Sequence, residues 1–324
     1  MSIEGQLRQA FREHADTISP PPAVDAAVAA IYRRQAMGRR GVMYRMKSWR
    51  MSRVAIAALV VVMLSGFAYA GSKLLYQQEK GHVGMSYRAV DSFTIPPETL
   101  ESIRIHLNEV KEQLEPGDRA VVYMEDLKIV RKIGLDPILG VDNPVRITTL
   151  EAWQSKLAES GAGITLPNAL LGGTYSFAEG FEGYPHGSAL SVSALELLPE
   201  LEAESRETGR DVIWRQTDAA DIPFQGYTTT YRNGDEQIHY TVEPMKEKMK
   251  IESIMNGMAA LEKVQVDGYE AAYTYNDNSM FTDSHIYQEI AWLEEQEGQT
   301  LIHRVGSDSG SVTKEQLAEA AGGM

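Results

Sequence analysis

The sequence predicts an α+β protein that crosses a membrane once. Its expected parts are a short cytoplasmic helical head, one transmembrane helix, and an ectodomain in which helices pack on antiparallel sheet meanders. Three observations support this class. Residues 54–72 contain no charge, an Arg-rich segment precedes them, and the chain from about residue 212 alternates apolar and polar positions between tight-turn dipeptides. Such alternation between turn signals is typical of β-hairpins.

The uncharged run, Val54 to Ser72, organises the rest of the prediction. At about 1.5 Å per residue, a helix of this length spans the hydrocarbon layer of a bilayer. Backbone N–H and C=O groups inside lipid must bond to one another, which favours a helix. A buried core helix and a cleaved signal peptide ending near Ala70 are the alternatives. The 53 residues before the run argue against the signal peptide.

The charges around this run predict its orientation. Eight Arg or Lys and no acid lie between Arg33 and Arg53, which places the N-terminus in the cytoplasm and the C-terminal domain outside the cell membrane. The expected membrane-flanking residues are Arg50, Arg53 and Lys73. Residues 1–53 contain ten basic and four acidic residues, and the remainder contains 21 basic and 41 acidic ones. The basic arm is therefore expected on the lipid bilayer, and the acidic remainder has no electrostatic reason to bind nucleic acid.

The head, residues 1–36, contains two apolar stripes at helical spacing, separated by the prolines at positions 20–22. Helices this short are marginal alone in water, so their apolar faces need a partner. A cytoplasmic protein and the membrane surface both remain open. The expected partner-binding residues are Leu7, Phe11, Val24, Val28, Ile31 and Tyr32. Gly66 and Ala70 have a small-xxx-small spacing, which suggests a homodimer through the transmembrane helix.

Beyond the head, the expected boundaries are a basic juxtamembrane segment at 37–53, the span at 54–72, an exit linker at 73–94 and the ectodomain at 95–324. A subdivision near 165–190, where glycines are dense, is left open. Within the ectodomain we expect a helix from Pro96 to Leu114, a strand at 118–125, a helix from Leu150 and another helix at 249–261. The expected hairpin turns and helix cap are Asn233-Gly234, Asp267-Gly268, Gln296–Gly298 and the capping box Thr313–Gln316.

The sequence offers no recognisable catalytic or metal motif. Cysteine is absent, which excludes disulfides and thiolate ligands. The seven histidines show neither H-E-x-x-H nor i,i+4 pairing, and no G-x-S-x-G elbow occurs. We therefore expect no enzyme, no catalytic residue, no cofactor and no metal. His239, and His285 near Asp283, are the histidines most worth testing.

The C-terminal part carries a resemblance. The stretches D-G-Y-E-A-A-Y-T-Y, I-A-W-L-E-E-Q-E-G-Q-T-L-I-H-R-V-G and T-K-E-Q-L-A-E-A-A lie between residues 267 and 321. Together with the layout of head, basic run and span, they resemble bacterial single-pass membrane proteins of the anti-sigma-factor type, a class also seen among sporulation-related proteins. The resemblance implies a lipoprotein-carrier-like sheet in the ectodomain and carries over no catalytic residue.

Three functions follow as hypotheses. The first is a membrane regulator in transcription and signal transduction, an anti-sigma factor whose head sequesters a cytoplasmic sigma factor while its extracytoplasmic domain senses an unknown ligand of the cell envelope. The second is a membrane-anchored extracytoplasmic module that binds a peptide, lipid or polysaccharide without a sigma partner. An anchored hydrolase is the third.

Overall fold

Strand is the dominant regular structure of this protein. The computed structural model describes residues 59–60, 72–90, 95–190, 192–217, 225–256 and 260–324, which belong to the unit Ile56–Met324. The strands are β1 Leu59–Val60, β2 Ser72–Lys80, β3 Val83–Val90, β4 Arg119–Met124, β5 Ile138–Asp142, β6 Ala169–Leu170, β7 Tyr175–Glu182, β8 Val212–Thr217, β9 Tyr227–Asn233, β10 Glu236–Met245, β11 Met249–Asn256, β12 Ala260–Val266, β13 Tyr269–Asn276, β14 Tyr287–Gln296 and β15 Gln299–Ser307. The helices are α1 Pro97–Gln113, α2 Leu150–Ser160, α3 Val192–Glu196, α4 Leu198–Thr208 and α5 Lys314–Gly322, with 3₁₀ turns at Glu125–Ile133 and Leu171–Gly173.

The largest sheet has eight antiparallel strands in the order β12-β13-β14-β15-β10-β9-β7-β6. Its three tight hairpins turn at Gly234-Asp235, Asp267-Gly268 and Glu297-Gly298. The second and third lie where the sequence predicts them, and the first lies one residue later because Asn233 still pairs with Glu236. Asp267 and Gly268 both have positive φ, 46° and 83°. This conformation matches the right-handed twist of paired strands, so this turn prediction is confirmed.

The two faces of this sheet have different covers. On one face, Tyr240, Trp292 and Val305 pack with Trp153 of α2 and Leu317 of α5, and we call it the helix-covered face. On the other, Ala291, Leu293 and Ile302 pack with apolar side chains of β2, β3 and β11, and we call it the sheet-covered face. Because alternate residues of a strand point to opposite faces, the same strands supply both cores.

The sheet that covers the second face has four strands in the order β1-β11-β3-β2. Strand β11 runs parallel to β3 and to β1, whereas β2 and β3 form an antiparallel hairpin. A third sheet, β5-β4-β8, packs Val122 against the buried side of α1 and Val121 against Leu201 of α4.

Two predicted helices are confirmed. Helix α1 buries Leu100, Ile103, Leu107 and Val110 along one side, and α2 buries Trp153 and Leu157. The predicted capping box is present at the start of α5. Thr313 accepts from the Gln316 backbone N–H, and the Gln316 side chain accepts from the Thr313 N–H. Both exchanges satisfy donors that the helix itself leaves unbonded.

The fold-class prediction, an α+β chain built around a transmembrane helix, is wrong. The described chain is mostly β, and Leu59–Val60, inside the expected span, forms strand β1 parallel to β11. Ser72, the last residue of the expected span, begins β2. The other residues of that span lie outside the described residues. A continuous apolar run with β-branched residues such as Val60–Val62 suits a buried strand as well as a membrane helix, and periodicity alone does not separate them.

The predicted localisation, a single-pass protein of the cell membrane with a cytoplasmic N-terminus and an extracytoplasmic domain, is corrected with it. Within the described ranges, no helix combines the length and the apolar character needed to cross a membrane. Of the expected membrane-flanking residues, Lys73 lies in β2 opposite Ala89, and Arg50 and Arg53 lie outside the described residues. The expected class of membrane anti-sigma factor, with its roles in transcription regulation and signal transduction at the cell envelope, therefore loses the helix on which it was based.

Two local predictions are also wrong. The helix expected at 249–261 is strand β11 followed, from Ala260, by β12. The exit linker expected at 73–94 contains most of β2 and all of β3. Polar residues such as Gln77 and Arg88 suggested a linker, yet they alternate with Tyr76 and Tyr87, which are buried. Strands β3 and β11 pair with each other across a long sequence separation, whereas β2 and β12 are each held by the next strand in a local hairpin.

Candidate metal centre

Three potential metal ligands converge beside the sheet-covered face. They are His186, in the segment after β7, His239, in β10, and Asp308, immediately after β15. One ligand atom from each lies within 4.8 Å of the other two. The His186 Nε2 atom is 4.0 Å from Asp308 Oδ2, and the two imidazole rings meet edge to face with centroids 5.5 Å apart.

The pairing of the strands explains this convergence. His239 of β10 lies opposite Gly306 of β15, so Asp308 follows two residues beyond that register. The segment carrying His186 is held to the sheet at its start, where the Thr228 hydroxyl donates to the Gly183 carbonyl at 2.7 Å. Antiparallel neighbours and one hydrogen-bonded loop thus bring together residues from three separate parts of the chain.

His186 and His239 have the surroundings of neutral imidazole ligands. His239 Nδ1 is 3.1 Å from the Thr230 hydroxyl, and the Nε2 atoms of both rings are buried without a hydrogen-bond partner. Burial lowers the pKa of His186 to about 4, and burial together with the nearby His186 holds the pKa of His239 well below its usual value. Both imidazoles are therefore uncharged near neutral pH. If His239 donates its Nδ1–H to Thr230, the lone pair that a metal ion needs is on the buried Nε2.

Asp308 supplies the carboxylate of the set. Burial raises its pKa, and Asp283 nearby adds to that shift. The side chains of His186 and Asp308 are 17% and 27% exposed, so solvent reaches one side of the site. Two imidazoles and one carboxylate with an open side are the donor set of many zinc and non-haem iron sites.

The distances are wider than those around a bound ion. Ligand atoms at about 2.0–2.1 Å from tetrahedral zinc lie about 3.3 Å from one another. The separations here are at most 4.8 Å, so binding needs a contraction of up to about 1.5 Å. His186 and Asp308 lie outside the strands and can supply it, while His239 is fixed within β10.

A buried ion cluster lies next to the three ligands on the same face. Arg304 of β15 contacts Glu243 of β10 at 2.6 Å and Glu289 of β14 at 2.8 Å. The Tyr287 hydroxyl donates to Glu289 at 3.1 Å, and the Tyr287 ring packs 5.2 Å from that of His186. The aromatic contact connects this cluster to one of the ligands and restricts where the His186 ring can lie.

On its other side, His186 lines a small pocket. The pocket has a volume of about 60 Å³, and Arg104, Asn108 and Lys111 of α1 also line it. Burial, and then the charge of Arg146, lowers the pKa of Lys111. Two cationic side chains thus lie beside the candidate centre. Arg104 is paired with Glu101 and Asp283, so Lys111 is the one that favours an anion.

The expectation of no metal site missed this grouping. His239 was singled out and does belong to it. His285, the other histidine singled out, instead contacts Arg104 at 2.9 Å. His186 and Asp308 lie 53 positions before and 69 positions after His239, so no spacing rule for metal motifs detects them. The partner-binding residues Leu7, Phe11, Val24, Val28, Ile31 and Tyr32 lie outside the described residues, and binding of a sigma factor by the head stays a prediction.

Comparison with protein-family models, with curated proteins and with solved structures found no match to this chain. The resemblance to proteins of the anti-sigma type therefore remains a prediction from the residues at 267–321, and the function has to be argued from the centre itself.

Proposed function

We propose that this protein binds one divalent transition-metal ion, Zn²⁺ being the first candidate, through His186 Nε2, His239 Nε2 and the Asp308 carboxylate. A fourth position remains for water or an anionic ligand. The observation that supports the proposal best is the pair of buried Nε2 atoms without hydrogen-bond partners, in two imidazoles that each place a ring nitrogen within 4.8 Å of an Asp308 carboxylate oxygen. Leaving buried polar atoms unbonded costs free energy, and a bound ion would remove that cost.

The choice of metal follows from the donors. Imidazole nitrogen suits zinc, copper, nickel and iron, whereas Mg²⁺ and Ca²⁺ prefer sites made of oxygen atoms. Three protein ligands with an open position are characteristic of catalytic rather than structural zinc. We therefore expect Zn²⁺ to bind and Mg²⁺ and Ca²⁺ not to bind at comparable concentrations.

Calorimetric titration of chelator-treated protein with Zn²⁺ tests the proposal. We expect one ion per chain, and affinity at least a hundredfold lower in His186→Asn, His239→Asn and Asp308→Asn. His106→Asn is the matched control, because His106 lies on α1 and pairs with Glu109 away from the centre. Wild-type protein that binds no zinc, or three variants that bind it like the control, would overturn the proposal.

Binding should also stabilise the fold. A ligand present at a hundred times its Kd adds about 2.7 kcal/mol to the free energy of unfolding. For a domain of this size that raises Tm by roughly 5–10 °C. The rise should be reversed by a chelator and absent in His239→Asn.

A second candidate function is supported by the adjacent pocket. We propose that the zinc-loaded protein takes an anion at the open position, with Lys111 supplying complementary charge. Inorganic phosphate should then bind the zinc-loaded protein more tightly than the metal-free protein, and Lys111→Met should weaken that binding about fivefold to tenfold, a loss of roughly 1–1.4 kcal/mol. Equal binding to both forms would contradict it. Because zinc makes its bound water more acidic, hydrolysis of an anionic ester is the activity to assay.

A further inference from the structure

A second concave site lies on the helix-covered face, on the opposite side of the sheet from the metal ligands. It is a cleft of about 290 Å³ between the β12–β13 turn, strands β14 and β15, and the end of α5. Its polar and aromatic lining includes Tyr240, Asp267, Tyr269, Trp292, Glu294 and His303. The volume suits a small organic molecule.

A chain of polar contacts fixes one wall of the cleft. The Tyr240 hydroxyl lies 2.8 Å from His303 Nδ1, and His303 Nε2 lies 3.0 Å from Glu294 Oε2. Burial raises the pKa of Tyr240, so its phenol stays protonated and donates to Nδ1. The Nε2 nitrogen of His303 therefore carries a proton, and it lies beside the Glu294 carboxylate.

The imidazole itself is held between two rings. The Trp292 ring stacks on His303 with a centroid distance of 4.8 Å and an interplanar angle of 6°, and the Tyr240 ring lies at 6.0 Å and 17°. His303 therefore cannot easily rotate away from Glu294. His303 Nε2 makes no hydrogen bond to Glu294, and Gln296 Nε2 donates to Glu294 Oε1 only at 3.4 Å, so carboxylate lone pairs remain for another donor.

The charge of the lining selects the kind of ligand. Contact with His303 lowers the pKa of Glu294, which keeps the carboxylate ionised, and its side chain is 29% exposed. The charged side chains known to line the cleft, Asp267 and Glu294, are both acidic. Val266 and Ala321 supply an apolar wall between them. An anion would be repelled here, whereas an ammonium group on an apolar stem meets complementary surfaces.

Tyr269, which lines the cleft, already contacts one ammonium group. Lys80 Nζ lies 4.5 Å from the centroid of the Tyr269 ring, and its positive charge contributes to the lowered pKa of Glu294. This cation–π contact is evidence that the cleft mouth accommodates a cation. It also makes Lys80 a competitor of any cationic ligand.

We propose that this cleft binds a small primary amine with a short apolar stem, the ammonium group donating to Glu294 with Asp267 nearby. The site is separate from the metal centre, and it does not depend on the function proposed above. Charge-assisted hydrogen bonds contribute more than neutral ones, which makes Glu294 the main determinant of affinity.

Titration of isotope-labelled full-length protein with n-butylammonium, followed by NMR shifts of the Trp292 indole N–H, tests the proposal. We expect n-butylammonium to bind saturably. Butyrate and 1-butanol should bind with at least tenfold lower affinity. Glu294→Gln should weaken it at least tenfold, and Asp267→Asn, which suits the positive φ of that turn residue, about threefold. Lys80→Met should strengthen it about twofold to fivefold.

The matched control is Glu295→Gln, which removes the same charge from the adjacent, exposed residue. Equal weakening in Glu294→Gln and Glu295→Gln would show a general electrostatic effect and overturn the proposal. Butyrate binding as tightly as butylammonium, or shifts that never saturate, would overturn it as well. Zinc titration of the same variants should be unchanged, so this site and the metal centre can fail independently.

Discussion

The two faces of the eight-stranded sheet are built from the same strands and differ in what they bury. Adjacent residues show the contrast. Thr229 contacts the buried Trp153 on the helix-covered face, whereas Thr230 contacts His239 on the sheet-covered face. Likewise, His303 stacks between aromatic rings, while the next residue, Arg304, bonds to two buried carboxylates.

The difference shows how one strand contributes to two unlike cores. Alternation fixes which face a residue joins, but the covering elements decide what that face can hold. Helices α2 and α5 cover one face with an apolar core that ends in a cleft at its edge. The other face keeps charged groups between two sheets, where each requires a partner. The candidate metal centre lies at that second face.

The largest effect is expected at Arg304. Replacing it with Met leaves Glu243 and Glu289 buried beside each other without a counter-charge, which should cost about 3–5 kcal/mol of stability. Arg210→Met is the control. Arg210 pairs with Glu204 at the surface and is 61% exposed, so its loss should cost about 1 kcal/mol or less. Urea unfolding measures the stability of both variants. Similar losses would show that a charge on the sheet-covered face depends on its partner no more than a surface charge does.

A packing change tests the helix-covered face. A Cβ atom on Gly180 of β7 would overlap the Trp153 ring. We expect Gly180→Ala to destabilise by about 1–3 kcal/mol, because this indole is fully buried and cannot move away freely. Gly322→Ala in α5, where the nearest atom would lie 3.5 Å away, should be neutral or slightly stabilising. Zinc affinity should be unchanged in both variants. A loss of zinc affinity in Gly180→Ala would contradict the view that the two faces act independently.

The adjacent threonines give a sharper comparison. Thr229→Val removes the acceptor of the Trp153 indole N–H, a bond of 2.8 Å, and should cost about 1–3 kcal/mol of stability without affecting zinc. Thr230→Val removes the group that orients His239 and should weaken zinc binding about tenfold to a hundredfold. Melting curves and zinc titrations of both variants separate the effects. The comparison fails if either variant loses both stability and zinc affinity.

The smallest effect concerns alkaline pH. Burial, with a further contribution from Glu270, raises the pKa of Tyr76 in β2 to about 12, against about 10 in an unfolded chain. The native state therefore favours the protonated phenol. The resulting contribution to the free energy of unfolding is fully present below pH 10 and is lost as the pH rises from 10 to 12. Tyr76→Phe should make stability fall less steeply between about pH 10 and 12. Parallel curves for the two proteins would contradict the assignment.

Local signals in the sequence predicted local structure. The Asp267-Gly268 turn, the buried stripe of α1 and the capping box at Thr313 are each encoded within about ten residues, and all are present. The turn predicted at Asn233-Gly234 is present one residue later. Segments with distant partners were mispredicted. Strand β11 pairs with β3 from Met249 opposite Val83, with no turn signal joining them, and the apolar run around Leu59 was interpreted as a helix although Leu59 pairs with Lys250.

The candidate centre was missed for the same reason. His239 has the appearance of an ordinary strand residue until β15 places Asp308 beside it and the segment after β7 brings His186. Metal motifs that sequence can reveal have their ligands on one helix or one loop, whereas here each element contributes a single ligand. Only the tertiary fold makes the three ligands neighbours.

The central claim is the identity of the ligands, and a crystal structure of the zinc-loaded protein with anomalous data at the zinc edge tests it most directly. We predict one strong anomalous peak about 2.0–2.2 Å from His186 Nε2, His239 Nε2 and an Asp308 carboxylate oxygen. Movement toward the ion should be confined to His186 and Asp308. A peak at other histidines, such as His82 or His106, or no peak in protein that retains stoichiometric zinc, would contradict the account.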